Sequence, residues 1–204
     1  MLNFLPPPLI GIICSILLFL NVVVWCSLLF LLAALKAIIP FKSARDILGH
    51  LIHKIAEIWI SGNSTLIALA QKITWDVEGL EDLNYNGWYL VNSNHQSWVD
   101  IVVLQRLLNR RIPLLKFFLK QELIRVPIMG MAWWALDFPF MKRYSKSYLE
   151  KNPHMKGKDL ETTQKACEKF ATMPTSVMNF LEGTRFTKQK HQQQQSPYRH
   201  LLKP

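Results

Sequence analysis

Charge is nearly missing from the first forty positions, where Lys36 is the one ionisable basic or acidic side chain, so the basic excess of the chain belongs to residues 41–204. Cysteine is scarce as well. Cys14 and Cys26 lie in an apolar stretch and Cys167 in a helix-like segment, without Cys-x-x-Cys spacing. That pattern excludes a disulfide framework or a structural zinc site and fits a reducing, cytosol-facing domain. The six histidines are scattered through unrelated segments, so no metal site is expected. No Gly-x-Ser-x-Gly elbow occurs, which argues against a serine hydrolase. Acidic residues are few, 14 against 24 Lys and Arg, leaving a net charge of +10. Such an excess suits nucleic acid, an anionic membrane surface or a phosphorylated substrate. The apolar amino end favours the membrane, and no motif favours nucleic acid.

What is present begins with residues 9–35, almost wholly apolar and broken by Gly11, Ser15, Asn21 and Ser27. At about 1.5 Å per helical residue such a run spans a hydrocarbon core of about 30 Å. It lacks the basic start and the small-residue cleavage site of a signal peptide. Lys36, Lys42 and Arg45 all lie after it, which puts the carboxyl-terminal bulk in the cytoplasm, the expected membrane being the inner membrane of a bacterium. A tilted or re-entrant hairpin broken near Asn21 is the alternative. From 47 to 70 the residues Ile47, Leu51, Ile55, Ile58, Trp59 and Leu66 recur at helical spacing, predicting an amphipathic helix that Gly62-Asn63-Ser64 interrupts. Periodicity does not distinguish a helix on the membrane surface from one packed on the globular part.

After residue 74 short alternating elements take over. Strands are expected at 75–77, 88–93, 114–119, 138–141 and 176–181, and helices at 100–108, 121–136 (bent or split at Pro127 and Gly130) and 158–170. Alternation of this kind predicts an α/β fold with a largely parallel sheet flanked by helices, behind an N-terminal membrane helix and the amphipathic helix. The resulting division is a membrane-anchoring segment over 1–46, the amphipathic helix over 47–73, the α/β domain over 74–186 and a polar tail over 187–204. The tail, with four consecutive glutamines, reads as a solvated loop.

The stretch Asn94-His95-Gln96-Ser97-Trp98-Val99-Asp100 lies between a strand-like and a helix-like run, placing His95 at a strand end. A neutral imidazole there takes a proton from a hydroxyl when a second group fixes its tautomer, and Asp100 is spaced to do so. Six His and six Asp in 204 positions give one such pair by chance about one time in five. A turn with Asp100 as N-cap explains the pair equally well. The second motif is rarer. Glu182-Gly183-Thr184-Arg185 comes directly after a strand-like run, and with eight each of its four residue types the tetrapeptide is expected roughly 0.0005 times by chance. It offers a flexible glycine, a hydroxyl and a forked guanidinium suited to phosphate. A surface ion pair between Glu182 and Arg185 is the plainer reading.

Taken together, Asn-His-x4-Asp, the Lys120-Gln121-Glu122-Leu123 and Pro127-Ile128-Met129-Gly130 element, Phe140-Met141-Lys142-Arg143, and Phe180-Leu181-Glu182-Gly183-Thr184-Arg185 resemble the glycerolipid acyltransferase family, typified by bacterial 1-acyl-sn-glycerol-3-phosphate acyltransferase (PlsC-like). Around Trp88-Tyr89-Leu90 and Asp137-Phe138-Pro139-Phe140 the text is most similar to the bacterial YihG-type branch. The likeness covers about 74–185. It implies acyl transfer from acyl-CoA or acyl carrier protein, as co-substrate and without a resident cofactor, to the free hydroxyl of a lysophospholipid. It implies His95 as base and Asp100 as its partner, with Arg143, Arg185 and Lys120 on the substrate phosphate. Glu182, Gly183 and Thr184 would shape the pocket. Trp133, Trp134, Phe138 and Phe140 are candidates for an acyl tunnel or for the membrane interface, with core packing as the competing role. The family's proline-rich fourth block does not come after the Glu-Gly-Thr-Arg motif, so the tail is expected to be truncated before the domain's end. A membrane lipid-binding protein without catalysis is the alternative of another class.

Overall fold

The computed structural model describes residues 5–141, 144, 146–155, 157–171, 173–183 and 185–193. Two long helices come first. α1 (Pro7–Ile38) opens with proline in its first turn, where no hydrogen-bond donor is lost, and ends just before Pro40 with Ile39 extended. α2 (Lys42–Ala70) turns back antiparallel along it, with Cys14 against Leu66, Asn21 against Asn63, and the end of Lys36 beside Gly49. α1 is the one described helix long and apolar enough to cross a membrane. Its first half exposes Leu9, Ile12, Ile16, Phe19 and Leu20, whereas Cys26 and Leu29 are buried.

α2 is not interrupted at Gly62-Asn63-Ser64. The polar side chains are satisfied within the hairpin. Asn21 donates to Asn63 Oδ1 (2.8 Å) and to the Trp59 carbonyl (3.2 Å), and Trp25 Nε1 donates to Asn21 Oδ1. Ser61, Ser64 and Thr65 each donate to the carbonyl four residues back, which leaves the helical ladder intact. Gly62 is needed for the close approach, because a Cβ there would stand 2.7 Å from Asn21 Oδ1. The first half of α2 packs on the globular part: Ile52, Ile55, Ala56 and Ile60 join Leu29 of α1 in the core. Of the two placements that periodicity left open for this helix, this half takes the second.

The sheet has three parallel strands in the order β1 (Tyr89–Ser93), β5 (Ser176–Phe180), β2 (Leu115–Phe117). In register Tyr89 faces Ser176 and Ser93 faces Phe180, while Leu115 and Phe117 face Ser176 and Met178. α3 (Val99–Leu108) comes after β1, and Leu108, Ile112, Leu114, Phe117, Leu136, Phe138 and Met178 complete the core. This is the expected α/β class with a parallel sheet and flanking helices. Three elements differ from expectation. Residues 75–77 form no strand; the Trp75 ring instead lies 4.9 Å from the Arg106 guanidinium, against α3. The run 114–119 divides into β2 and β3 (Leu119–Lys120), the latter pairing in a separate parallel two-stranded sheet with β4 (Phe140–Met141). The tail contains a short helix, α7 (Lys188–Gln193), with Lys190 N–H bonded to Thr187 Oγ1, where a loop was expected.

The expected break near Pro127 is sharp. Residues 121–125 make a 3-10 turn, α4 (Met129–Ala135) starts afresh, and between them the Met129 N–H bonds back to the Pro127 carbonyl at 2.7 Å. That γ-turn holds Ile128 at φ 64°, ψ −58°, an unfavourable region for a β-branched residue. It presses Gly130 so closely against the Leu123–Ile124 backbone that any Cβ would collide with the Ile124 carbonyl. The later helix α6 (Lys158–Cys167) closes in a 3-10 turn over residues 168–171, and α5 (Lys146–Lys151) precedes it.

Two measurements check this packing. Gly130→Ala is expected to destabilise the protein by about 1 to 3 kcal/mol, the usual range for overpacking, read as a lowered thermal midpoint in detergent. An unchanged midpoint would show that the γ-turn does not hold the two segments in contact. His53, whose Nδ1 bonds the Gly49 carbonyl at 2.8 Å, has its pKa pushed down to about 4, first by burial and then by the Lys116 ammonium, against an ordinary 6.5. Once unfolded it accepts a proton more readily, so stability falls as pH drops from 6.5 towards 4, by on the order of 2 kcal/mol from this group. His53→Gln should flatten the melting-temperature profile across that window.

Candidate functional site

Parallel pairing of β1 with β5 brings two chain segments 87 residues apart to the same carboxyl edge of the sheet. In open α/β sheets this is the edge where ligands bind, because the strands end there in loops free to carry function. His95 lies two residues beyond β1 and Glu182 two beyond β5. Three bonds lace the loops together: Leu181 N–H to the Ser93 carbonyl (3.3 Å), His95 N–H to Glu182 Oε2 (3.3 Å) and Phe186 N–H to the His95 carbonyl (2.6 Å). Gly183 sits at φ 62°, with its N–H on the Phe180 carbonyl at 2.8 Å; this left-handed position is one that glycine adopts without a steric penalty.

Asp100 occupies the first turn of α3 and turns its carboxylate back over the loop. Its Oδ2 accepts from His95 Nδ1 (3.0 Å), Gln96 N–H (2.7 Å) and Ser97 N–H (2.7 Å). Ser97 Oγ in turn accepts the Val99 N–H at 3.2 Å and starts the helix. Partial burial pushes the Asp100 carboxyl up, but the bonds from Ser97, His95 and Gln96 outweigh it and hold the group below the ordinary carboxylate range. An ionised carboxylate accepts only, so Nδ1 of His95 carries the hydrogen and Nε2 the lone pair. Nε2 makes no hydrogen bond among the described residues. The capped-turn reading of Asp100 is thus partly literal, since it ties down the turn before α3, and the same oxygen also fixes the imidazole.

The ring is further confined by two aromatics, one at the end of β5 and one at the start of α3. Phe180 stacks on His95 with centroids 4.0 Å apart and planes 17° from parallel, and Trp98 meets it edge-on at 6.3 Å. Phe117 lies 6.1 Å from Phe180, and Phe138 lies 6.4 Å from Phe117, so a row of rings runs from the core to the imidazole. The His95 side chain keeps 11% of its surface exposed. The sequence signal for Phe180 is its place at the head of the Phe180-Leu181-Glu182-Gly183-Thr184-Arg185 stretch, in strand alternation with buried Met178.

The other expected residues divide. Arg185 joins the cluster, its guanidinium 5.5 Å from the Trp98 ring centre, and forms no ion pair with Glu182; the Glu182 carboxylate goes to the His95 backbone instead. Lys120 is exposed on β3 in the other sheet and makes no hydrogen bond or ion pair among the described residues. Arg143 and Thr184 lie outside the described residues. Phe138 is in the core, Trp133 packs against it, Trp134 is 63% exposed, and Phe140 is half-buried on β4. Among the described residues no three His, Cys, Asp or Glu converge as metal ligands.

This constellation, an imidazole with one free nitrogen, an ionised partner and a neighbouring guanidinium at a loop edge, is equipped for proton abstraction next to an anion. The crystal structure of the 1-acyl-sn-glycerophosphate (LPA) acyltransferase PlsC from Thermotoga maritima matches with a TM-score of 0.58 at 17% identity, covering 90% of this chain. The chain spans 65% of that protein's length, and at this identity the likeness is one of fold. No curated protein sequence matches. The acyltransferase family model matches residues 74–201, more than half of the chain and inclusive of both motif loops, and this chain therefore belongs to the acyltransferase family.

Proposed function

We propose that the protein is a membrane-bound O-acyltransferase that moves a fatty acyl group from acyl-CoA or acyl carrier protein to the free hydroxyl of a lysophospholipid such as 1-acylglycerol-3-phosphate. The observation that carries this reading is the His95 Nδ1 to Asp100 Oδ2 bond of 3.0 Å, which leaves Nε2 as a base. His95 takes the proton of the acceptor hydroxyl as its oxygen attacks the thioester carbonyl. The carbon–sulfur bond then breaks, and the thiolate leaves with the proton held on the imidazolium. Asp100 and the face of Phe180 both favour the cationic ring. No nucleophilic side chain is required, so the transfer is direct. Arg185, with Arg143 and Lys120, is assigned to the acceptor's phosphate, and Glu182 to holding the His95 loop.

The apolar face of α1 supports a site working at a bilayer, and the positive residues after it support a domain on the cytoplasmic side, in a bacterium the inner membrane. Resemblance to the YihG-type branch widens the acceptors to lysophosphatidylglycerol and lysocardiolipin.

The test is acyl transfer by the full chain in membranes, with radiolabelled oleoyl- and palmitoyl-CoA against lysophosphatidic acid, lysophosphatidylglycerol and lysocardiolipin in turn. His95→Ala is expected to lower turnover by on the order of 10³-fold while leaving membrane association intact. Turnover retained by purified His95→Ala would remove the base assignment, and failure with every lysolipid would favour a lipid-binding protein without catalysis. Asp100→Asn should cost on the order of 10²- to 10⁴-fold in kcat. It should also lower the melting temperature, because three N–H groups lose a charged acceptor. An Asp100→Asn protein with wild-type turnover would mean that the carboxylate serves the turn alone.

A further inference from the structure

A cleft of about 810 Å³ runs along the second half of α2, between residues 75–81 and the end of α3, and the catalytic reading makes no use of it. Its lining is cationic in part: Arg106, Arg110 and Arg111 belong to it, and among the described residues none of the three forms an ion pair. Glu81 is the single carboxylate in the lining, so the arginines leave a local excess of positive charge. Arg106 is held in place, donating from Nη1 to the Ser64 carbonyl at 2.8 Å with its guanidinium over the Trp75 ring. Its remaining donors make no hydrogen bond among the described residues. Arg110 and Arg111 come next, in a turn in which Arg111 N–H and Ile112 N–H both bond the Leu108 carbonyl. Apolar side chains share the lining, Ala68, Val77 and Leu80 among them. Ala68 belongs to the turns of α2 that lie beside the exposed apolar half of α1, where Leu66 touches Cys14.

We propose that this cleft binds the phosphate of an anionic membrane lipid, with its acyl chain towards Ala68 and Val77, at a site separate from His95. A guanidinium cluster is suited to a phosphodiester or phosphomonoester by charge and by forked donors. A lining that combines guanidinium groups with apolar side chains suits an amphiphile better than a fully soluble anion, and tryptophan with arginine beside an apolar hairpin is the composition of a membrane interface. A volume of this size is that of a small-ligand site, too confined for a nucleic-acid duplex. The proposal rests on the hairpin meeting a bilayer, as proposed above, and not on the chemistry of His95.

The test is vesicle flotation of the full chain, with phosphatidylcholine vesicles with and without phosphatidylglycerol. Arg110→Gln with Arg111→Gln should weaken binding to the phosphatidylglycerol vesicles roughly thirtyfold, about fivefold per arginine near an anionic surface. Binding to pure phosphatidylcholine and acyl transfer to a dispersed acceptor should be unchanged. Arg111→Gln alone, which spares the left-handed Arg110, should give about the fivefold step. An equal loss from Lys151→Gln with Lys188→Gln would overturn the site in favour of diffuse attraction. Loss on both vesicle types would mean that the arginines act through the fold. Inorganic phosphate displacing the protein from phosphatidylglycerol at concentrations that leave ionic strength unchanged would reassign the cleft to a soluble anion. A wild-type chain that floats with neither vesicle would overturn this proposal together with the membrane reading, while leaving His95-dependent turnover as a separate result.

Discussion

The pairing of β1 with β5 is the constraint on which the site depends. Parallel register places Ser93 opposite Phe180. From there neither loop has freedom to wander, since the bonds from Leu181 to Ser93, His95 to Glu182 and Phe186 to His95 continue the ladder past the last residues of both strands. A slip of one residue in β5 would turn Phe180 to the other face, because successive strand side chains alternate. The imidazole would then lose its stacking partner and Glu182 its hold on the His95 amide. Parallel strands need a crossover between them, and here the intervening chain supplies both the central part of the domain and the core residues that seat Phe117 and Phe138 behind the ring.

Burying an imidazole and aiming a carboxylate at it are individually unfavourable, and the structure offsets each cost locally. His95 is almost buried, but both its backbone groups and Nδ1 are bonded and one ring face is covered by Phe180. Asp100 is partly shielded from water and receives three N–H donors at a single oxygen. A carboxylate so bonded is held below the ordinary carboxylate range, and as an acceptor it directs the hydrogen of the neutral imidazole to Nδ1. The same contacts that stiffen the turn before α3 therefore set the chemistry, and the plain structural role of Asp100 and its functional role are one geometry.

The parts of this arrangement that sequence made legible are those encoded within a few residues. His95 and Asp100 are five apart, and a serine-containing turn before a helix suffices to bring them together. The α/β class was likewise readable from alternation of short elements. What spacing did not encode was partnership over distance. Nothing between 95 and 182 says that β1 and β5 are neighbours, and only the resemblance put the two motifs in one site. Phe180 looked like strand filling, and its ring contact depends on that register. Residues 75–77 had strand composition but lie against α3, and 114–119 had the pattern of one strand but serves two sheets. The continuous α2 was hidden for another reason: Gly62 and Asn63 are helix-weakening alone and become favourable when Asn21 of α1 is there to meet them.

That long-range complementarity also bears on how the long apolar helix is joined to the acyltransferase domain. The core does not stop where the apolar helices do. Leu29 of α1 and Ile52 and Ala56 of α2 are each about 1% exposed and share one cluster with Leu115, Phe117 and Met178 of the sheet. Burying a leucine or isoleucine fully is worth roughly 1.5 to 3 kcal/mol, so the contribution of the hairpin to the core is several times thermal energy even from two residues. A tether of unstructured residues would let the domain rotate freely over a surface. Here the link is α2 itself, with its first half in the core and its second half against α1. Ile52 and Ile55 share one core with Phe117 of the sheet, and Phe117 lies 6.1 Å from Phe180, which stacks on the ring of His95. On the membrane reading proposed for this chain, the packing that stabilises the domain is also what fixes the direction in which its base faces the lipid surface.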